Sequence, residues 1–141
     1  MMPDVLSEKA LLAMPERDYM NAAQLAFFRD LLLRLARECE QELAAARQAL
    51  QTPPQSDPLD AAVDEETCRH QLRFLGRRQA LLEKIRLALR RLNHGDYGYC
   101  EISGEPIGLR RLLARPTTEY CAEVKSRLEA NERHYAHSRT G

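Results

Sequence analysis

Four positions in the last third of the chain, Cys100, Ser103, Cys121 and Val124, carry the spacing of a metal finger without its full chemistry. The frame is C-x2-C-x17-C-x2-C, with serine and valine in the second and fourth places. A structural zinc site needs four nitrogen or sulfur donors in a tetrahedral array. Serine is a poor donor and valine is none, so the two thiolates leave an ion under-coordinated, and zinc is not expected. His94 lies outside the spacing. Two readings of Cys100 and Cys121 stay open: a disulfide formed on oxidation, or two packed thiols, since buried cysteine behaves mainly as a small hydrophobe.

A second constellation is acidic. Asp57-Pro58-Leu59-Asp60 closes the polar stretch that begins at Thr52. Asp57 suits a helix N-cap, Pro58 the first helical position and Asp60 the third, where the helix dipole favours a carboxylate. Capping does not exclude function, because a capped turn between two long helices also displays its carboxylates. Arg110, Arg111 and Arg115 fall in a turn-rich passage and invite an anion, whereas Arg86, Arg90 and Arg91 read as a solvated helix face. His134 and His137 read as solvated, and Cys39 and Cys68 as seam filler. The sequence contains neither a Gly-rich phosphate loop nor a Ser-His-Asp arrangement, and an enzyme is not expected.

Two long helices must position these groups. Residues 19–51 contain neither Gly nor Pro, and residues 59–93 contain only Gly76. Each arm would span roughly 45–50 Å at the α-helical rise. Apolar residues step by threes and fours through Leu25, Phe28, Leu32, Ala36, Cys39, Leu43, Ala46 and Leu50. They do so again through Leu72, Leu75, Leu82, Ile85, Leu89 and Leu92, with Gln79 in the gap; this is the coiled-coil alternation. Gly76 lowers helix stability by roughly 1 kcal/mol relative to Ala and could mark a bend.

The fold expected is mainly α: a long antiparallel coiled-coil hairpin on a small base. Residues 1–18 form an N-terminal helix packing on the base, 19–93 the hairpin with its acidic tip at 52–62, 94–116 a degenerate finger, and 117–141 a C-terminal helix and tail. Net charge is zero, with 21 basic and 21 acidic residues, which argues against bulk attraction to nucleic acid. The charges are segregated, acidic over 55–66 and basic over 84–115. No apolar run approaches the roughly 20 residues of a membrane span, and the amino terminus lacks a secretory pattern. A cytoplasmic protein is expected.

Three stretches together resemble the DksA/TraR family of RNA polymerase regulators. Tyr19-Met20-Asn21-x-Ala23-Gln24-Leu25-Ala26-x-Phe28 is similar to the start of its first arm. Asp57-Pro58-x-Asp60-x-Ala62 is similar to its D-x-x-D-x-A tip. Asp96-Tyr97-Gly98-Tyr99-Cys100-Glu101 with Ile107-Gly108-x-Arg110-Arg111-Leu112-x-Ala114-Arg115-Pro116-Thr117 is similar to its finger and the turn beyond. The resemblance implies a monomeric factor that binds RNA polymerase rather than DNA and inserts its tip through the secondary channel. It implies modulation of open promoter complexes, with repression of ribosomal RNA promoters and activation of amino-acid promoters, together with guanosine tetraphosphate (ppGpp). By position it makes Asp57, Asp60 and Ala62 the tip effectors and Arg77 the contact with the channel rim. Lys84, Arg115 and Lys125 become the ppGpp-binding residues. Ser103 and Val124 place the chain beside paralogues with a degenerate finger that work without zinc. Ile102, Ile107, Leu109, Leu112, Leu113 and Val124 are then the expected apolar staple. Two rivals remain: a Gre-like transcript-cleavage factor, whose globular strands residues 94–141 lack, and a redox sensor using Cys100 and Cys121.

Overall fold

The structure is a computed structural model that describes residues 6–51 and 58–140; the side chains of 58–62 and 136–140 lie outside the described set. The described elements are helical: α1 (Glu8–Leu12), a 3-10 turn (Glu16–Asp18), α2 (Ala22–Leu50), α3 (Pro58–His94), α4 (Leu109–Ala114) and α5 (Ala122–Thr140). Extended pairing among the described residues is limited to an antiparallel bridge between Tyr99 and Pro106.

Two compact units divide the chain. One comprises residues 32–87, and the other residues 1–31 with 88–141. The first is the hairpin unit. Its cross-helix pairs join Glu40 to Arg86 at 3.9 Å, Glu42 to Arg78 at 2.7 Å and Arg47 to Gln79 at 3.2 Å, so the later residues of α2 meet earlier residues of α3 than Glu40 does. The helices are therefore antiparallel. Cys39, Leu43 and Leu82 are buried at their seam, with Ala36, Leu75 and Leu81 packed against them. Cys39 donates its thiol proton to the Arg78 carbonyl at 3.0 Å, and burial pushes that thiol's pKa up. Arg78 also lies over the Phe74 ring at 5.3 Å.

The seam is narrower than its sequence pattern. Leu72, expected in it, is 55% exposed, and Cys68 is exposed rather than seam filler. Helix α3 is continuous through Gly76, and a Cβ there would meet nothing within 4 Å.

The second unit gathers α1, the first turns of α2, the last turns of α3, the finger, α4 and α5. Its buried side chains include Leu11, Met20, Gln24, Phe28, Leu92, Tyr97, Ile107, Leu112 and Val124. Asn21 caps α2, its side-chain oxygen accepting from the Gln24 amide at 2.9 Å. The fully buried Gln24 is satisfied in turn, accepting from the Met20 amide at 2.9 Å and approaching the Met14 sulfur at 3.6 Å. The N-terminal helix is shorter than the segment expected, beginning only after the Ser7 cap. Helix α5 begins at Ala122, so residues 117–121 of the expected C-terminal helix precede it, and it continues to Thr140.

Candidate functional site

The finger is built around two limbs, 98–100 and 105–108. Cys100 donates its amide to the Glu105 carbonyl at 2.8 Å, and Gly104 donates back to the Cys100 carbonyl at 2.9 Å. Ile107 donates to the Gly98 carbonyl at 2.8 Å. One side chain from outside the finger joins both limbs: the Tyr19 hydroxyl donates to the Gly98 carbonyl at 2.5 Å and accepts from the Gly108 amide at 2.9 Å. Its ring meets Tyr99 edge-on at 5.6 Å. Next to it Met20 adopts a left-handed backbone (φ 57°) and lays its thioether on Gly98.

Further polar ties come from α3. Arg91 reaches the Tyr99 carbonyl at 2.7 Å and the Asp96 carbonyl at 3.3 Å. It is thus a half-buried tie and not part of a solvated face. Tyr97 is 1% exposed, packs its ring on Phe28 at 5.5 Å and donates its hydroxyl to the Pro116 carbonyl at 2.8 Å. Burial raises the Tyr97 phenol well above its usual range. Burial raises the Tyr19 phenol as well, so the Tyr19 and Tyr97 hydroxyls stay protonated donors through the neutral range.

The four finger positions do not fit a structural zinc ion. Val124 is 4% exposed and packs as a core aliphatic. The Ser103 hydroxyl accepts from the Glu105 amide at 3.3 Å and lies 3.8 Å from the Cys121 sulfur. Cys100 and Cys121 are free thiols, and no group of three or more His, Cys, Asp or Glu side chains converges among the described residues. Two sulfurs are half of the required donor set. Burial raises the Cys100 pKa, but the Ser103 hydroxyl and the Ser103, Cys121 and Ile102 amides outweigh it and bring the thiol down to about 6. The thiolate that a metal would otherwise neutralise is held by hydrogen bonds. Of the apolar staple, Ile107, Leu112 and Val124 are buried and Leu109 and Leu113 half-buried. Ile102 is 61% exposed and does not belong to it.

The basic residues fall in both units. Arg77 and Lys84 are exposed on α3 within the hairpin unit, while Arg115, exposed at the end of α4, and Lys125, half-buried in the first turn of α5, belong to the other. Arg111 is tied by its Nε to the Tyr120 carbonyl at 3.0 Å. Of the tip residues, Asp57 lies outside the described residues; Asp60 and Ala62 lie in the first turns of α3, their side chains outside the described set. Sequence reasoning missed Tyr19, Tyr97 and Arg91 as ties. Only the density of hydroxylated aromatics around Gly98 hinted at them.

Fold and finger together define a class: helical-hairpin proteins with a small base built round a two-limbed finger. Comparison with known proteins narrows it. Residues 24–92 match the family described as DnaK suppressor protein DksA, N-terminal domain, and residues 95–130 match the prokaryotic dksA/traR C4-type zinc finger. The chain is 37% identical over 124 residues to the RNA polymerase-binding transcription factor DksA of Escherichia coli K12, covering 86% of this chain and 82% of that one. It is 41% identical over 120 residues to the protein of that name from Caulobacter vibrioides, covering 84% of each. Among solved structures, transcription factor DksA2 from Pseudomonas aeruginosa superposes with a TM-score of 0.81 at 50% identity, over 91% of this chain and all of that one. The chain belongs to the DksA/TraR family. It is a non-enzymatic protein of that family, and it keeps two of the four cysteines that a C4-type finger implies.

Proposed function

We propose that this chain is a cytoplasmic, monomeric transcription regulator that binds RNA polymerase through the secondary channel and acts with ppGpp without needing zinc. One observation carries the reading: its likeness to proteins named RNA polymerase-binding transcription factors runs through both the hairpin and the finger. No helix among the described residues is long and apolar enough to cross a membrane, which accords with a factor that meets polymerase in the cytoplasm. Arg77 serves as rim contact, and Asp57, Asp60 and Ala62 act near the polymerase active site. Lys84, Arg115 and Lys125 hold the ppGpp phosphates, for which cationic side chains supply charge-assisted hydrogen bonds. Zinc independence is supported by the missing donors at Ser103 and Val124 and by the hydrogen bonds that hold the finger limbs.

The test is transcription in vitro from a ribosomal RNA promoter in excess chelator, with and without ppGpp. Repression that survives chelation and deepens with ppGpp is the expected result. Repression abolished by the chelator would refute the zinc-free reading. Asp60→Asn should leave polymerase binding nearly intact while abolishing regulation; loss of binding would make the tip an anchor. Shortening of RNA in a backtracked complex would favour a Gre-like cleavage factor instead.

A further inference from the structure

The segment between α4 and α5, residues 115–121, begins with Arg115 and leads into the first turn of α5, which carries Lys125. Its own turn contributes two hydrogen bonds, from the Thr118 amide to the Arg115 carbonyl at 3.1 Å and from the Thr118 hydroxyl to the Tyr120 carbonyl at 3.2 Å. The remaining ties come from other elements. The Tyr97 hydroxyl holds the Pro116 carbonyl, the Arg111 Nε holds the Tyr120 carbonyl, and the Glu101 amide holds the Glu119 carbonyl at 2.8 Å. The Tyr97 ring is locked by burial against Phe28, so its hydroxyl is a fixed point and not a mobile contact. Proline has no amide hydrogen to tie residue 116 to a neighbour, which leaves its carbonyl as the backbone handle at that position.

We propose that Tyr97 and Arg111 are positioning residues for anion recognition: by fixing the Pro116 and Tyr120 carbonyls they hold Arg115 and Lys125 at the spacing a guanosine polyphosphate requires. The inference rests on the assignment of Arg115 and Lys125 to ppGpp in the preceding section. Neither positioning residue needs to touch the nucleotide. A loose connection would have to be ordered each time ppGpp binds, and an ordered one avoids that cost. The device therefore governs how much ppGpp is required and leaves the action of the factor alone unchanged.

The experiment titrates ppGpp in ribosomal-promoter transcription with the wild type, Tyr97→Phe, Arg111→Lys and Arg115→Ala, beside competition binding to polymerase without ppGpp. Tyr97→Phe keeps the ring and its packing; Arg111→Lys keeps the charge and provides a second, independent variant. Each should raise the half-maximal ppGpp concentration about two- to tenfold, the range expected for one lost hydrogen bond. Ppgpp-free repression and polymerase affinity should hold at wild-type levels. Equal losses with and without ppGpp would reveal a merely structural role and overturn the inference. So would unchanged half-maximal concentrations in both variants while Arg115→Ala weakens the response. A full ppGpp response in Arg115→Ala would instead refute the underlying assignment, and the positioning role would fall with it.

Discussion

Replacing Gly98 with alanine probes the junction between the N-terminal segment and the finger. Gly98 has φ +92°, and a Cβ built there would lie 2.6 Å from the Met20 sulfur and 2.7 Å from its Cγ. Two costs follow. Holding an L-residue in the left-handed region costs roughly 1–2 kcal/mol, and forcing a methyl into a packed site costs typically 1–3 kcal/mol. Their sum, about 3 kcal/mol, is separable because only the second depends on Met20. In the double variant Gly98→Ala/Met20→Ala the overlap disappears while the backbone strain remains. Urea denaturation followed by circular dichroism should therefore show a favourable coupling of about 1–2 kcal/mol in the double-mutant cycle. Amide exchange localises the effect. The Ile107 amide, which donates to Gly98, and the Gly108 amide, which donates to Tyr19, should lose protection in the single variant. A Gly98→Ala protein as stable as the parent, or a cycle additive to within about 0.4 kcal/mol, would refute the close approach of Met20 to the finger.

Gly76→Ala should stabilise the hairpin by about 1 kcal/mol, because the added methyl meets nothing within 4 Å in a continuous helix; the urea midpoint measures it. Leu43→Ala removes a side chain only 2% exposed at the seam and should cost about 2–5 kcal/mol, read from the same transition. Cys100, lowered to about 6 from an ordinary value of 9.0, should show thiolate absorbance near 240 nm rising through pH 6, and a Cys100→Ala variant should lack that step. The sign for stability follows from the depressed value. The contribution is fully present above the unfolded pKa, near 9.0, and declines as pH falls toward 6, below which it is gone. Urea midpoints that fail to fall between pH 9 and pH 6, relative to Cys100→Ala, would contradict it.

The hairpin was legible because coiled-coil packing is written locally. The three- and four-residue steps through Leu32, Cys39 and Leu43 and through Leu82 and Ile85 specify which faces must meet, and those residues are buried. The pattern misled at Leu72 and Cys68, where spacing put residues on the seam but no partner among the described residues covers them. Periodicity reports a helix face; burial also needs something opposite that face. The finger's loss of two metal donors was equally plain, since ligand chemistry depends on residue type and spacing. Which apolar residues pack there was read correctly for Ile107, Leu112 and Val124 and wrongly for Ile102, because that passage has no period to follow.

By itself, then, the sequence determined two long helices, the acidic residues that lie between them along the chain, and a finger with half of its ligands. Each of these is settled by neighbours within a few residues or by side-chain chemistry. Only the tertiary structure decided how the finger is tied without the missing donors. The Tyr19 hydroxyl reaches carbonyl and amide groups 79 and 89 residues away, and Tyr97 and Arg91 each tie backbone carbonyls beyond their own turn. A hydroxyl carries no mark of its partner until the chain has folded and left one buried carbonyl in need of a donor.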